Sequence, residues 1–341
     1  PVLSNRNGQD LEVYCYGGVG KPDEFTQRFK EQSDAWRDTL GLPDEKLAET
    51  IREDRIDILV DLAVHTAGSR LLALARKPAP VQATWLGWPG TTGMDAIDYR
   101  LSDPYLDPPG TNDEFYAEKT IRLPDSFWCY DPFDADVPVN ELPAMGNGYV
   151  TFGCLNNFWK VNDPLIESWA RIMSMTAGSK LMLRAPLGGP RQRLSERFNR
   201  HGIDPSRIEF APRTPQRQYW ALYHRIDITL DPTPYGGHTT AMDSIWMGVP
   251  VVSLAGKLPV GRAGVTILSN IGLPELVARS PQEYVNVSAQ LANDHDRLMQ
   301  LRPALRDCLR RSPLMDAPRF ARNLQAAYRE IWKNWCESAT R

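Results

Sequence analysis

Asp231-Pro-Thr-Pro-Tyr-Gly-Gly-His-Thr-Thr-Ala-Met-Asp243 places paired glycines, a histidine, paired threonines and a closing aspartate between two regular runs. The run before it, Ile226–Leu230, is apolar and β-branched and stops at Asp231-Pro232, as a buried parallel strand does. The run after it, Ala241–Met247, has helical composition and stops at Gly248 and Pro250. Backbone N–H groups at a helix start lack partners and carry roughly half a positive charge, so they attract phosphate. Asp243 falls about one helical turn further on, within reach of a ribose hydroxyl. A nucleotide diphosphate fits this arrangement. So does a plain loop in which Thr239 only caps the helix.

Other residues with chemical potential sit on loops of the same kind. Lys160 closes the loop Asn156-Asn-Phe-Trp-Lys160, where a cation can neutralise charge on a departing diphosphate. It is also readable as a surface lysine at a helix start, where the dipole disfavours it. His238 and His65 are two of five histidines. Each fits a general base, a sugar or phosphate donor, or a histidine that only satisfies nearby backbone groups. Asp61 ends a strand and can orient a histidine or cap the next helix. Trp85, Trp88 and Trp159 flank these loops, as stacking surfaces or as core. Asp134-Ala-Asp136 resembles a metal-binding DxD, although two aspartates in a proline-rich linker are more often solvated. There is no serine elbow, HExxH, Walker lysine loop or GxGxxG, so hydrolase, zinc-protease, P-loop and dehydrogenase readings lack a motif.

The elements that position these loops alternate along the chain. Leu11–Tyr16, Ile56–Val60, Val81–Leu86 and Tyr99–Ser102 read as strands, with helices over Pro22–Leu40, Lys46–Arg55 and Arg70–Arg76. Asp103–Thr120 is rich in Pro, Asp and Gly and reads as irregular. Residues 130–148 hold Pro132, Pro138, Pro143, Gly146 and Gly148 and form the expected linker. Beyond it Tyr149–Leu155, Lys180–Arg184, Ile208–Phe210 and Pro250–Leu254 read as further strands. Helices are expected over Gln192–His201, Gln216–His224 and Gly261–Ile271, and from Asp163, as N-cap with Pro164, to Met175. From Pro281 the chain reads as helices. This alternation predicts an α/β fold with parallel sheets, a first domain over 1–140 and a second over 149–341.

Arg55-Ile-Asp-Ile-Leu-Val-Asp61 and Arg225-Ile-Asp-Ile-Thr-Leu-Asp231 are nearly the same heptad, each followed by a loop carrying His-Thr. Either two apolar strands agree by chance, or the chain holds two similar doubly wound domains. Ligands in such sheets bind beyond the carboxyl ends of the strands. Two such domains facing each other would put both loops on one cleft.

The 341 residues carry 42% hydrophobic and 24% charged residues, those of a globular protein in water. A net charge of −3 gives no electrostatic case for nucleic acid or an anionic membrane. Five scattered cysteines without a CxxC pair suit a reducing, cytoplasmic compartment. No apolar run approaches bilayer-spanning length. Pro1 has no methionine before it and a strand follows almost at once, which predicts the later part of a longer protein.

Together, Pro78-Ala-Pro-Val-Gln-Ala-Thr-Trp-Leu-Gly-Trp-Pro-Gly-Thr91, Asn156-Asn-Phe-Trp-Lys160 and Gly237-His-Thr-Thr-Ala-Met-Asp243 resemble the O-linked N-acetylglucosamine transferase family. The resemblance runs from about Leu11 to Trp335. It implies a GT-B fold of two Rossmann-like domains, and inverting, metal-independent transfer of N-acetylglucosamine from UDP-GlcNAc to Ser or Thr of a protein or peptide. It implies that Lys160 holds the diphosphate, that His238, Thr239 and Thr240 grip sugar and phosphates, and that Asp243 binds ribose. Thr66, Leu86 and Gly87 match the sugar-pocket wall.

Three positions depart from the family pattern. Asn157 stands for a glutamine near the diphosphate, Tyr219 for a histidine that stacks on uracil, and Gln216 for a lysine on the nucleotide. The family's tetratricopeptide repeats and an early histidine-bearing segment are not in this sequence. Asp61 and His65 are left as possible bases. The departures keep open a sugar-nucleotide-binding module without transfer, or a UDP-glucose-using relative that modifies asparagine.

Overall fold

The computed structural model describes residues 1–8, 11–133 and 137–339; the side chains of residues 216, 217 and 339 and the Asp134-Ala-Asp136 motif lie outside that description. The chain divides into two compact units, Pro1–Cys129 with Asp316–Arg341, and Tyr130–Met315.

In chain order the first unit contains β1 (Tyr14–Gly17), α1 (Glu24–Gln32), β2 (Ala35–Asp38), α2 (Asp44–Glu53) and β3 (Ile58–Asp61). It continues with α3 (Leu71–Leu74), β4 (Val81–Thr84), β5 (Tyr99–Ser102) and β6 (Lys119–Arg122). The strands β3-β4-β5-β6 form one parallel sheet, and β1 pairs in parallel with β2. Two strands differ from the sequence reading. Ala35–Asp38 lies in the expected Pro22–Leu40 helix, and Lys119–Arg122 begins inside the expected irregular stretch that ends at Thr120. Both are half-exposed edge strands without a buried residue, so they lack the apolar signal of a core strand.

The second unit contains α4 (Pro143–Asn147), β7 (Thr151–Cys154), α5 (Asp163–Met175), β8 (Lys180–Arg184), α6 (Gly189–Arg200), β9 (Ile208–Ala211) and α7 (Gln216–Leu222). Then come β10 (Ile228–Leu230), α8 (Thr239–Trp246), β11 (Val251–Leu254), α9 (Ala263–Asn270), β12 (Val277–Ala278), α10 (Pro281–Asn293) and α11 (His295–Arg310). Its six strands are all parallel, in the order β12-β11-β10-β7-β8-β9. From β7 the chain builds outward on one side, then crosses to β10 and builds outward on the other. Sheets of this order bind ligands at the switch point, beyond the carboxyl ends of the two central strands. Here those strands are β7 and β10. Their apolar residues Phe152, Ile228 and Leu230 are fully buried, and each such side chain stabilises the unit by about 1.5–3 kcal/mol. The Asn162 side chain, not Asp163, caps α5 by accepting from Leu165 N.

The last helix, α12 (Ala317–Ala339), belongs to the first unit, whereas the sequence reading gave 149–341 to one domain. Phe320, Ala321, Leu324, Ala327 and Ile331 recur at helical spacing and are buried, which makes one apolar stripe. Phe320 stacks on Trp85 at 5.7 Å. A stripe seeks whichever surface complements it, and distance along the chain does not reveal that surface. Among the described residues no helix is long and apolar enough to cross a membrane, and all five cysteines are free.

Candidate functional site

The loop after β10 is built around Asp231. Gly237 N donates to its Oδ1 at 2.6 Å and Ser253 Oγ, on β11, to its Oδ2 at 2.7 Å. The carboxyl is fully buried, and burial pushes it up to about 6. A Cβ on Gly236 would stand 2.7 Å from Asp231 Oδ2, so only glycine lets the loop fold over the carboxylate. His238 N-caps α8, packs edge-on against Tyr235 at 5.2 Å, and is pushed down to about 3 by burial and then by Lys160. At neutral pH it is therefore an uncharged imidazole, which removes it as a base poised near 7 and leaves a hydrogen-bonding role.

Lys160 comes from the β7 side. Its Nζ donates to Gly236 O at 2.6 Å and Asn156 Oδ1 at 3.1 Å, and lies 3.9 Å from the centre of the Tyr235 ring. Burial lowers its pKa, while the Asp231 charge works in the opposite direction. One of its three ammonium protons is left for a ligand. The same Asn156 oxygen accepts from Thr240 Oγ1 at 3.1 Å, so this buried amide ties the lysine loop to the first turn of α8. Asn157, expected near the diphosphate, is exposed, and its Oδ1 accepts from Trp159 N instead. The amide that bridges is its neighbour. Among the described residues, the N–H groups of Thr239 and Thr240 have no acceptor, whereas Ala241 N and Met242 N bond to His238 O. A lysine ammonium and two open amides thus come from the two strands that flank the switch point.

Next to them is a pocket of about 340 Å³ whose wall includes Thr239, Asp243, Tyr219, Trp220, Arg184 and Arg213. Tyr130 donates to Asp243 Oδ1 at 2.8 Å and Tyr219 to Oδ2 at 3.0 Å. Burial raises the Asp243 carboxyl to about 6, and the two tyrosine hydroxyls work against that rise. Tyr219 also shares a 2.7 Å hydrogen bond with the Tyr223 hydroxyl. Its hydroxyl therefore does more than the stacking expected of it: it helps hold the carboxylate. Gln216 opens α7, and its side chain lies outside the described residues.

The residues expected in the first unit lie on the loops after β3 and β4. Asp61 accepts from Ala63 N at 3.2 Å, Val64 N at 2.8 Å and Thr84 Oγ1 at 3.0 Å. His65 Nε2 lies 3.2 Å from Thr91 O. A carbonyl only accepts, so in this bond Nε2 carries the proton and donates. Asp61 therefore shapes its own turn and makes no hydrogen bond to His65. Thr66 Oγ1 donates to Ala63 O at 2.7 Å. Leu86 has φ +69°, a conformation that glycine adopts more readily, and Gly87 follows it. A Cβ on Gly87 would meet Ala63 C at 2.7 Å and Leu62 O at 2.8 Å, so its bareness lets the two loops touch. Trp85 is core, donating to Phe127 O at 3.0 Å; Trp159 is 86% exposed.

Sequence reasoning missed Asn156, Tyr130, Arg184 and Arg213. Asn156 and Arg184 had a local signal, a polar residue at the end of an apolar strand. Tyr130 meets Asp243 across 113 positions, and no local pattern announces that. Among the described residues no three of His, Cys, Asp or Glu are grouped to hold a metal ion.

Residues 1–135 and 140–324 match the family model described as Glycosyl transferase family 41. A Petunia hybrida protein named probable UDP-N-acetylglucosamine–peptide N-acetylglucosaminyltransferase SPINDLY is 40% identical over 98% of this chain and 37% of its own length. The Arabidopsis thaliana protein of the same name with the suffix SEC is 28% identical over 98% of this chain and 35% of its own. The chain thus spans a little over a third of the curated relatives it matches. A solved O-GlcNAc transferase mutant from Thermobaculum terrenum superposes with a TM-score of 0.92 at 38% identity, covering 99% of this chain and 65% of that one. Anabaena HepE in complex with UDP and glucose, at a TM-score of 0.57 and 11% identity over 93% of this chain and all of its own, shares the fold. The fold class is α/β of the GT-B type.

Proposed function

We propose a function from one premise: this chain belongs to glycosyl transferase family 41. The proposed activity is transfer of a sugar, N-acetylglucosamine, from a UDP-sugar donor to a Ser or Thr hydroxyl of a protein or peptide. The observation that carries it is the pairing of Lys160 with the open Thr239 and Thr240 amides at the β7–β10 switch point. In this proposal the diphosphate lies on those amides and the remaining proton of Lys160 Nζ, ribose reaches Asp243, and neutral His238 bonds the sugar or a phosphate.

The acceptor oxygen attacks C1 of the sugar from the face opposite the diphosphate, the C1–O bond to phosphate breaks, and UDP leaves with inversion. Charge grows on the leaving diphosphate as that bond breaks. Fixed donors aimed at it lower the barrier. An ammonium and a helix start supply this positive charge, which is what supports a metal-independent reaction. The hydroxyl proton goes to a base, for which His65 is retained over Asp61 on hydrogen bonding alone: its Nδ1 makes no hydrogen bond among the described residues, whereas backbone and Thr84 donors occupy the Asp61 carboxylate. Thr66, Leu86 and Gly87 remain the proposed sugar-pocket residues of the first unit, and Asn157 and Gln216 are proposed nucleotide neighbours. An acceptor-presenting tetratricopeptide region in the same protein and a cytoplasmic location complete the proposal.

The test is a thermal-shift titration with UDP, UDP-N-acetylglucosamine and UDP-glucose, followed by an assay of UDP release with and without a chelator. Stabilisation by UDP-N-acetylglucosamine of about 2.7 kcal/mol at a hundred times its dissociation constant, with chelator-insensitive UDP release, is expected. Binding without release would identify a module that does no transfer. Preference for UDP-glucose would reassign the donor.

A further inference from the structure

Arg184 ends β8, and Arg213 follows β9 by two residues; the strands pair with Arg184 opposite Ala211. Two guanidiniums therefore rise from neighbouring points of the sheet edge, and both line the pocket that holds Asp243 and Tyr219. Other arginines of this unit are paired: Arg225 with Glu209, Arg197 with Asp163, and Arg302 with Asn140. Among the described residues, neither Arg184 nor Arg213 has a hydrogen bond or an ion pair. The Arg184 charge does act on the Tyr219 phenol, which places it beside that ring. Asp131 also lines the pocket, and Phe133 N already donates to its Oδ1 at 2.8 Å.

Two uncommitted cations in a hollow call for an acceptor-rich ligand. Resting on the donor reading above, the order of groups is fixed: phosphates at Thr239, ribose at Asp243, and then the nucleobase toward Tyr219 and the arginines. Guanidinium donates only, in a planar fork. It suits keto oxygens and opposes the N–H groups of an exocyclic amine. We infer that Arg184 and Arg213 are the residues that select the nucleobase, by donating to its keto edge and so favouring uracil or guanine over cytosine or adenine.

Calorimetric titration of UDP against CDP, and of GDP against ADP, tests this, because each pair exchanges a keto for an amino group. Wild-type protein is expected to prefer the keto member of at least one pair by about tenfold or more, the usual discrimination of an arginine fork. The pair that shows it identifies the ring size. Arg184→Met and Arg213→Met should bring that ratio toward one while inorganic pyrophosphate binds as before. Arg184→Lys, which keeps the charge and loses the fork, should bind the diphosphate yet discriminate less. Equal wild-type affinities within both pairs would overturn the assignment, as would an undiminished ratio in folded variants that still bind pyrophosphate. If wild-type protein fails to bind pyrophosphate at all, the donor reading falls and this assignment with it.

Discussion

Asp61 and Asp231 close almost identical strands in the two units, yet their loops serve different ends. Each takes a hydroxyl from the next strand, Thr84 in one and Ser253 in the other. They differ in which backbone amides they reach. Asp61 takes Ala63 N and Val64 N, two and three residues on, so its loop turns at once and its oxygens are used up. Asp231 takes Gly237 N, six residues on, and the intervening chain arches around the Lys160 ammonium. One strand-end carboxylate makes a tight turn; the other makes a seat for a cation beside a helix start. The repeated heptad sets the strand, and the distance to the first captured amide sets what the loop can do.

The largest effect expected is on turnover. Lys160→Ala should lower kcat by about 10²- to 10³-fold, the usual loss for one preorganised donor, with a much smaller change in donor Kd. Near-normal turnover would erase the functional difference between the loops. Next comes the pH dependence of stability. Burial raises Asp231 to about 6 from 3.8, so the native state holds its proton more tightly than the unfolded chain does. That contribution is complete below about pH 4 and disappears as pH rises through about 6, a swing on the order of 3 kcal/mol. Asp231→Asn should therefore flatten the melting-temperature profile between pH 4 and 7; a wild-type slope in that variant would refute the part given to the buried carboxyl.

Gly87→Ala drives a methyl into Ala63 and Leu62 and should cost about 1–3 kcal/mol by denaturant unfolding. No loss of stability would mean that the first-unit loops are slacker than described. The smallest effect is that of Thr84→Val, which removes one donor from Asp61 and should cost about 1 kcal/mol in the same measurement. A cost well above that would show that the tight turn depends on the hydroxyl more than on its own amides.

Much of this was legible in the sequence. Strand, breaker and helix show in composition, so β8 falls at Lys180–Arg184 and α5 ends at Met175 as read, while α5 is capped one residue before the expected Asp163 and α8 begins at Thr239, ahead of the expected Ala241. What stayed hidden depends on contacts distant in sequence. Ala35–Asp38 looks polar because only its partner β1 makes it a strand, and α12 returns to the first unit because its stripe fits there. Asn156 was passed over for Asn157 because two adjacent amides look alike until one is buried against Thr240. The pairing of Tyr130 with Asp243 follows from folding alone.

The most direct test is a crystal structure with the nucleoside diphosphate that binds most tightly. The account predicts phosphate oxygens within about 3 Å of Thr239 N, Thr240 N and Lys160 Nζ. A diphosphate bound elsewhere, with those amides facing solvent and the ammonium still held only by Gly236 and Asn156, would contradict it.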